Sequence, residues 1–320
     1  MRKPQIDNLR ASLRSFLKLS PSFCPTDVSL VPLGVLDGCR RSALRYTAAD
    51  GEPIEAFLFE PIDNEPRGAV LALHQHNSQW EIGKSEIAGL AGDPHQAFGP
   101  VLARNGVTVI APDAIGFESR MQRAGWGKSL APVLQKPRST PESWLQYYNQ
   151  MAHRLVTGDL LMRKILDDCS TALSVLSKHT GNLRPGVLGH SFGGLITLFL
   201  TAVDVRVAYA CSSGAVCSYR CKLSNGTALE MALVIPGFLA HYDIEDLLRC
   251  VAPRPMLVVS SEDDPQAADA DDVVSRVRDS FESQGCTTNL QHLRTAGPHA
   301  LDESRFEALV DWTVRQAIAS

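Results

Sequence analysis

An α/β protein built on an open, mostly parallel sheet is the fold that this 320-residue sequence predicts. Three observations lead there. Short runs rich in Val, Leu and Ile recur along the chain, and near-continuous apolar runs are what strands buried on both faces look like. Stretches of helical periodicity lie between them, and alternating strand and helix gives a parallel sheet with right-handed crossovers. Ordinary globular usage, 44% hydrophobic and 21% charged, excludes a disordered, collagen-like or coiled-coil chain.

The elements follow in order. Ile6, Leu9, Leu13, Phe16 and Leu17 have helical spacing, with Asp7, Arg10, Arg14 and Lys18 elsewhere around the helix, which predicts an amphipathic helix ending before Pro21. Extended segments at Arg41–Ala48 and Ile54–Glu60, joined by Ala49-Asp50-Gly51-Glu52, predict an antiparallel hairpin. Residues 1–50 are therefore read as a helical segment and the start of the hairpin, packed on a main domain spanning 51–320. Buried strands are expected at Ala69–Leu73, Val107–Ala111, Gly186–Leu188, Val205–Ala210 and Met256–Ser260, with a more polar one at Asn289–Arg294. Helices are expected at Leu160–Leu176 and Phe306–Ile318. Between Ser119 and Leu155 an insertion rich in glycine, proline and aromatics (Trp126, Trp144, Tyr147, Tyr148) is too long for a plain connection. It reads equally as a lid or pocket wall and as a packed surface excursion.

Charge and cysteine content narrow the partners. A net charge of −4 gives no electrostatic footprint for nucleic acid or an anionic membrane. Gly186–Val203 has no formal charge over 18 residues, but it contains His190, Ser191 and several glycines. It reads as strand, turn and helix rather than as a membrane span. Eight irregularly spaced cysteines are not a disulfide framework, and Met1–Ser20 lacks the apolar core of a signal peptide. A reducing, cytoplasmic setting is the expectation. Cys211, Cys217 and Cys221 lack the spacing of a zinc knuckle, and no cofactor or metal is implied.

The chemistry is carried by Gly189-His190-Ser191-Phe192-Gly193, a G-x-S-x-G pattern between an apolar strand and the helical run Leu195–Leu200. That context places Ser191 on the sharp strand-to-helix turn of a nucleophile elbow, where flanking glycines relieve crowding. Serine needs a base, and the base an orienting acid, in the chain order Ser, acid, His. Downstream histidines are His241, His292 and His299. His292 alternates within a strand and His241 precedes a helix, whereas His299 follows the loop Thr295-Ala296-Gly297-Pro298 after the last strand, which suits the base. The strand Met256–Ser260 runs into Ser261-Glu262-Asp263-Asp264-Pro265, where Asp263 and Asp264 compete as the acid. The oxyanion hole takes the Phe192 amide and a second amide from the loop after Ala69–Leu73, that of His76 or Gln75. His74-x-His76 lacks a third metal ligand at familiar spacing, so His74 is read as tying loop to loop.

These residues make the chain resemble the α/β-hydrolase superfamily, in its dienelactone-hydrolase-like and acetyl-xylan-esterase-like branch, from about Glu55 to the C-terminus. Leu73-His74-Gln75 with Gly83-Lys84-Ser85-Glu86 resembles the oxyanion-loop signature of that branch. Val107–Asp113 with Gly116-Phe117-Glu118-Ser119-Arg120 resembles its PDxxGFGxR stretch, with Glu118 in place of the second glycine. Tyr242-Asp243-Ile244 through Ala252-Pro253-Arg254-Pro255 is similar to its APRP segment. The resemblance puts Asp264 in the place of the acid and reads Asp113 as structural. Gln75 stands where a glycine is common. Dienelactone hydrolases proper use a cysteine nucleophile, so Ser191 favours an ordinary serine esterase acting on small-molecule esters with short acyl groups such as acetyl. A peptidase of the same superfamily and a non-catalytic hydrolase-fold binding protein are the alternatives, and a homo-oligomer is left open.

Overall fold

The computed structural model describes residues 1–62, 65–121 and 140–320. Nine strands form one sheet: β1 Ser29–Leu36, β2 Cys39–Thr47, β3 Pro53–Glu60, β4 Gly68–Leu73, β5 Val107–Pro112, β6 Pro185–His190, β7 Ala210–Ser213, β8 Met256–Ser261 and β9 Leu290–Thr295. Their order across the sheet is β1-β2-β3-β5-β4-β6-β7-β8-β9. The first three strands and the β3–β5 pair are antiparallel, and all pairs from β4–β5 to β8–β9 are parallel.

Every residue of β4 through β8 is buried, because helices cover both faces. The pleat divides them between two cores. Along β4, Ala69, Leu71 and Leu73 join the core under the helices Leu161–Thr180 and Phe192–Val203. Val70 and Ala72 face the opposite core, built on Phe98–Arg104 and Glu303–Ala319. The expected membrane-length run resolves into β6, a turn and the Phe192–Val203 helix, and among the described residues no helix is long and apolar enough to cross a membrane.

The N-terminal amphipathic helix spans Lys3–Phe16 and buries Ile6 and Leu13, with Leu17 just beyond it, in the first of those cores. Its arginines do more than face water. Arg10 donates to the carbonyls of Ala202 and Cys250, and Arg14 to that of Val203, which satisfies open carbonyls at the ends of two core helices.

One expectation is corrected, and one strand is added to those expected. The run Val205–Ala210 is not a strand over its length: β7 begins at Ala210, and Val205 is 61% exposed in a turn where Asp204 accepts from the Arg206 amide. And β1 lies outside the hairpin read from the sequence, as an edge strand whose eight residues are all exposed.

Candidate active site

β4, β6, β8 and β9 run in one direction, so the residues after their carboxyl ends converge on one edge of the sheet. After β6, Ser191 holds φ +55° and ψ −120°, a strained conformation for a residue with a side chain, and precedes the helix Phe192–Val203. Two contacts enforce the turn: the Ser191 amide donates to Ser213 O at 2.8 Å, and Leu195 N donates to Ser191 O at 2.9 Å. The glycines are needed for space. A Cβ at Gly193 would lie 2.1 Å from Leu73 O, and one at Gly189 would lie 2.3 Å from the Gly193 carbonyl carbon.

The structure brings Ser191, His299 and Asp264 into one hydrogen-bonded chain. Ser191 Oγ lies 2.8 Å from His299 Nε2, and His299 Nδ1 lies 2.8 Å from Asp264 Oδ2. An ionised carboxylate accepts only, so the Nδ1 proton points at Asp264 and Nε2 is left free to accept from the serine. Asp264 is 1% exposed, and its second oxygen accepts from the Gln266 amide. Asp263, its rival in the sequence, is exposed, and its backbone amide bonds Gly297 O. The other two histidines lie elsewhere: His292 bonds Ser260 Oγ from within β9, and His241 packs on Phe16.

Beneath His299 lies His190, fully buried, with its Nδ1 2.9 Å from Ser213 Oγ and its ring centroid 5.0 Å from that of His299. Burial first, and the nearby His299 second, hold its pKa well below the ordinary histidine value, so this ring is neutral.

Of the residues expected at the oxyanion hole, Phe192 and His76 line the same cavity as Ser191. Gln75 does not; its side chain turns away to donate to Glu86 Oε1 at 2.9 Å. The His76 ring sits against Trp80, Phe117, Tyr147 and Phe192, and burial pulls its pKa down to about 4. His74 fastens the loop: Nδ1 lies 2.8 Å from Gln75 O, and Nε2 accepts from the Ala114 amide at 3.1 Å.

Under this loop sits a buried charge cluster. Lys84 Nζ lies 2.7 Å from Asp113 Oδ2 and 2.7 Å from Glu118 Oε1. Glu118 Oε2 accepts from the Gly83 and Ser85 amides, so that this carboxylate clamps the 83–85 turn. Burial opposes the Lys84 charge, but Asp113 and Glu118 outweigh it and hold its pKa above the ordinary value.

The cavity at Ser191 measures about 400 Å³. The described part of the insertion supplies one wall through the helix Thr140–Val156, where Trp144 lines the cavity and the buried Tyr147 donates to Glu230 Oε1 at 2.8 Å. Trp126 and residues 122–139 lie outside the described residues. Burial pushes the Glu230 carboxyl up to about 7. Sequence reasoning missed Glu230, Lys222 and Gln266, all of which line the cavity, because they stand on separate connections with no spacing to link them. Cys217 and Cys221 approach Asp269 with their ligand atoms within 4.8 Å of one another, but both Asp269 oxygens accept from Ser218, and Cys211 is part of β7.

Comparison with known proteins places this arrangement in context. Residues 74–318 match the profile of the Alpha/beta hydrolase family. A protein of Bacillus subtilis (strain 168) named "Putative hydrolase YtaP" is 24% identical over 257 residues, 78% of each chain. A crystal structure from Bacteroides fragilis NCTC 9343, described as a "putative acetyl xylan esterase", superposes with a TM-score of 0.76 at 16% identity, covering 98% of this chain and 87% of the other. A glucuronoyl esterase from Solibacter usitatus superposes with a TM-score of 0.62 at 15% identity, covering 96% and 91%.

Proposed function

Because this chain belongs to the Alpha/beta hydrolase family, we propose that it is a serine hydrolase that cleaves carboxylic esters, with Ser191 as nucleophile, His299 as base and Asp264 as orienting acid. The observation that carries the reading is the Ser191–His299–Asp264 chain, two contacts of 2.8 Å opening into a cavity, with the serine at a positive φ. His299 takes the Ser191 proton as Oγ attacks the ester carbonyl, and the imidazolium is stabilised by Asp264. The oxyanion is held by the Phe192 amide, at the N-terminus of its helix, and by an amide of the 75–76 loop. His299 then gives its proton to the leaving alcohol. It next activates a water that releases the acid from the acyl-enzyme.

Short acyl groups are favoured by the modest cavity and by the names of the structural relatives, an acetyl xylan esterase among them. The test is a chain-length series of p-nitrophenyl esters with Ser191→Ala beside the wild type. Hydrolysis should be fastest for acetyl to butyryl esters and should fall about 10³-fold or more in the variant. Undiminished turnover by Ser191→Ala would exclude the serine mechanism.

A further inference from the structure

We propose that Lys222 is a specificity-determining residue that anchors a carboxylate on the substrate, so that the favoured ester bears an acid group besides the scissile bond. This rests on the esterase reading above. Lys222 stands on the helix Tyr219–Asn225 after β7, is 3% exposed, and lines the cavity together with Ser191, His299 and Gln266. Its ammonium meets the Gln266 side-chain carbonyl, a neutral acceptor, and among the described residues no carboxylate reaches it at ion-pair distance.

The nearest acidic group is the Cys217 thiol, which burial pushes up to about 12 and so keeps neutral, and the carboxylates that act on Lys222 at longer range, Asp264 and Asp269, are committed elsewhere. Asp264 accepts from His299 and the Gln266 amide. Asp269 accepts from the amide and hydroxyl of Ser218 and has Arg276 at 3.8 Å. A buried ammonium with three donors and one neutral acceptor is poorly compensated, and its burial pulls its pKa below the ordinary lysine value. An anionic group entering the cavity would supply what the protein withholds. A charge-assisted N–H···O contact is stronger than a neutral one, and its worth grows in a site shielded from water.

The charge count selects the anion. Among the described residues lining the cavity, Lys222 is the one permanent cation, since His76 is neutral above pH 5. One ammonium balances a carboxylate, whereas a phosphate monoester dianion would remain half uncompensated.

The test uses matched neutral and anionic esters: methyl 4-acetoxybenzoate against 4-acetoxybenzoate for the alcohol half, and 4-nitrophenyl methyl adipate against mono-4-nitrophenyl adipate for the acyl half. The wild type should favour the anionic member of at least one pair, chiefly through KM. Lys222→Met should lower that anionic-to-neutral ratio of kcat/KM about ten- to a hundred-fold, and Lys222→Arg should retain part of it. Because the readout is a ratio within one preparation, a general loss of activity cancels. Equal treatment of both pairs by the wild type, or an unchanged ratio in Lys222→Met, overturns the proposal. The wild-type ratio decides the matter if Lys222→Met does not fold. Calorimetric binding of monomethyl adipate, a monoanion, against neutral dimethyl adipate on Ser191→Ala separates the two readings, since it needs no turnover. Tighter binding of monomethyl adipate there, lost in the Lys222→Met double variant, supports the anchor even if no ester is cleaved, whereas equal binding overturns the anchor and leaves the serine chemistry untouched.

Discussion

Replacing Lys84 with methionine removes one cation from between two carboxylates and keeps the length of the apolar stem. Asp113 is 1% exposed; apart from Lys84 Nζ at 2.7 Å, it accepts from the Lys84 amide at 2.7 Å and from the Ser119 amide and hydroxyl at 3.2 and 2.6 Å. Breaking a buried ion pair from one side costs about 3–5 kcal/mol, because the surviving charge is left uncompensated. The three remaining donors offset part of that loss for Asp113. Glu118, whose side chain is 21% exposed, finds water. The expected loss is therefore near the low end, about 3 kcal/mol at pH 8. Burial already pushes the Asp113 carboxyl above its ordinary value, and removal of Lys84 pushes it higher. A protonated Asp113 needs no cation, so the gap between variant and wild type narrows as pH falls through that raised value. Urea unfolding at pH 8 and pH 5 reads both quantities. Lys84→Met/Asp113→Asn, which removes both charges, should cost less than Lys84→Met alone. A gap below about 1 kcal/mol at pH 8, or one that does not change with pH, would refute the reasoning.

Gly193→Ala sets a new Cβ 2.1 Å from the Leu73 carbonyl, where backbone on both sides cannot yield, and should cost more than about 4 kcal/mol in thermal melts. Gly285→Ala, at φ +70° in open space, should cost only about 1 kcal/mol, and equal losses would show that crowding at the elbow is not the cause. Glu230 holds its proton to about pH 7 when folded, whereas the unfolded chain releases it near 4.5, so its contribution to stability falls as pH rises between those values and is level above. Glu230→Gln keeps an acceptor for the Tyr147 hydroxyl without titrating. The variant's melting temperature should therefore decline less than the wild type's between pH 5 and pH 8, by an amount equivalent to about 1–3 kcal/mol; parallel curves would contradict this. Leu13→Ala, at a fully buried position of the N-terminal helix, should cost about 2–4 kcal/mol by chemical denaturation.

What could be read from the sequence divides along a physical line. The central strands were legible because burial on both faces forces continuous apolar composition, and β4, β5, β6 and β8 fall within about two residues of the expected bounds. β1 was not legible. Its residues, Ser29–Leu36, are exposed on both faces, so no alternation marks it, and only pairing with β2 makes it a strand. The run at Val205–Ala210 misled for the opposite reason: Val207, Ala208 and Tyr209 are buried, and composition reports burial, not hydrogen-bonded pairing. The same division holds at the site. Ser191 and His299 follow the ends of β6 and β9, so the order of strands and loops was enough to single them out, whereas after β8 that order left Asp263 and Asp264 competing, the resemblance chose Asp264, and the structure buries Asp264 and exposes Asp263. Lys222 and Glu230 come from connections whose paths are fixed by packing rather than by any strand register. The groups proposed to react are thus encoded locally, and the groups that would choose the substrate are encoded only in the folded chain. Two chains of this fold could keep the reactive groups in place while exchanging the whole wall that Lys222 and Glu230 provide, which is why selectivity has to be argued from the cavity and not from the motif.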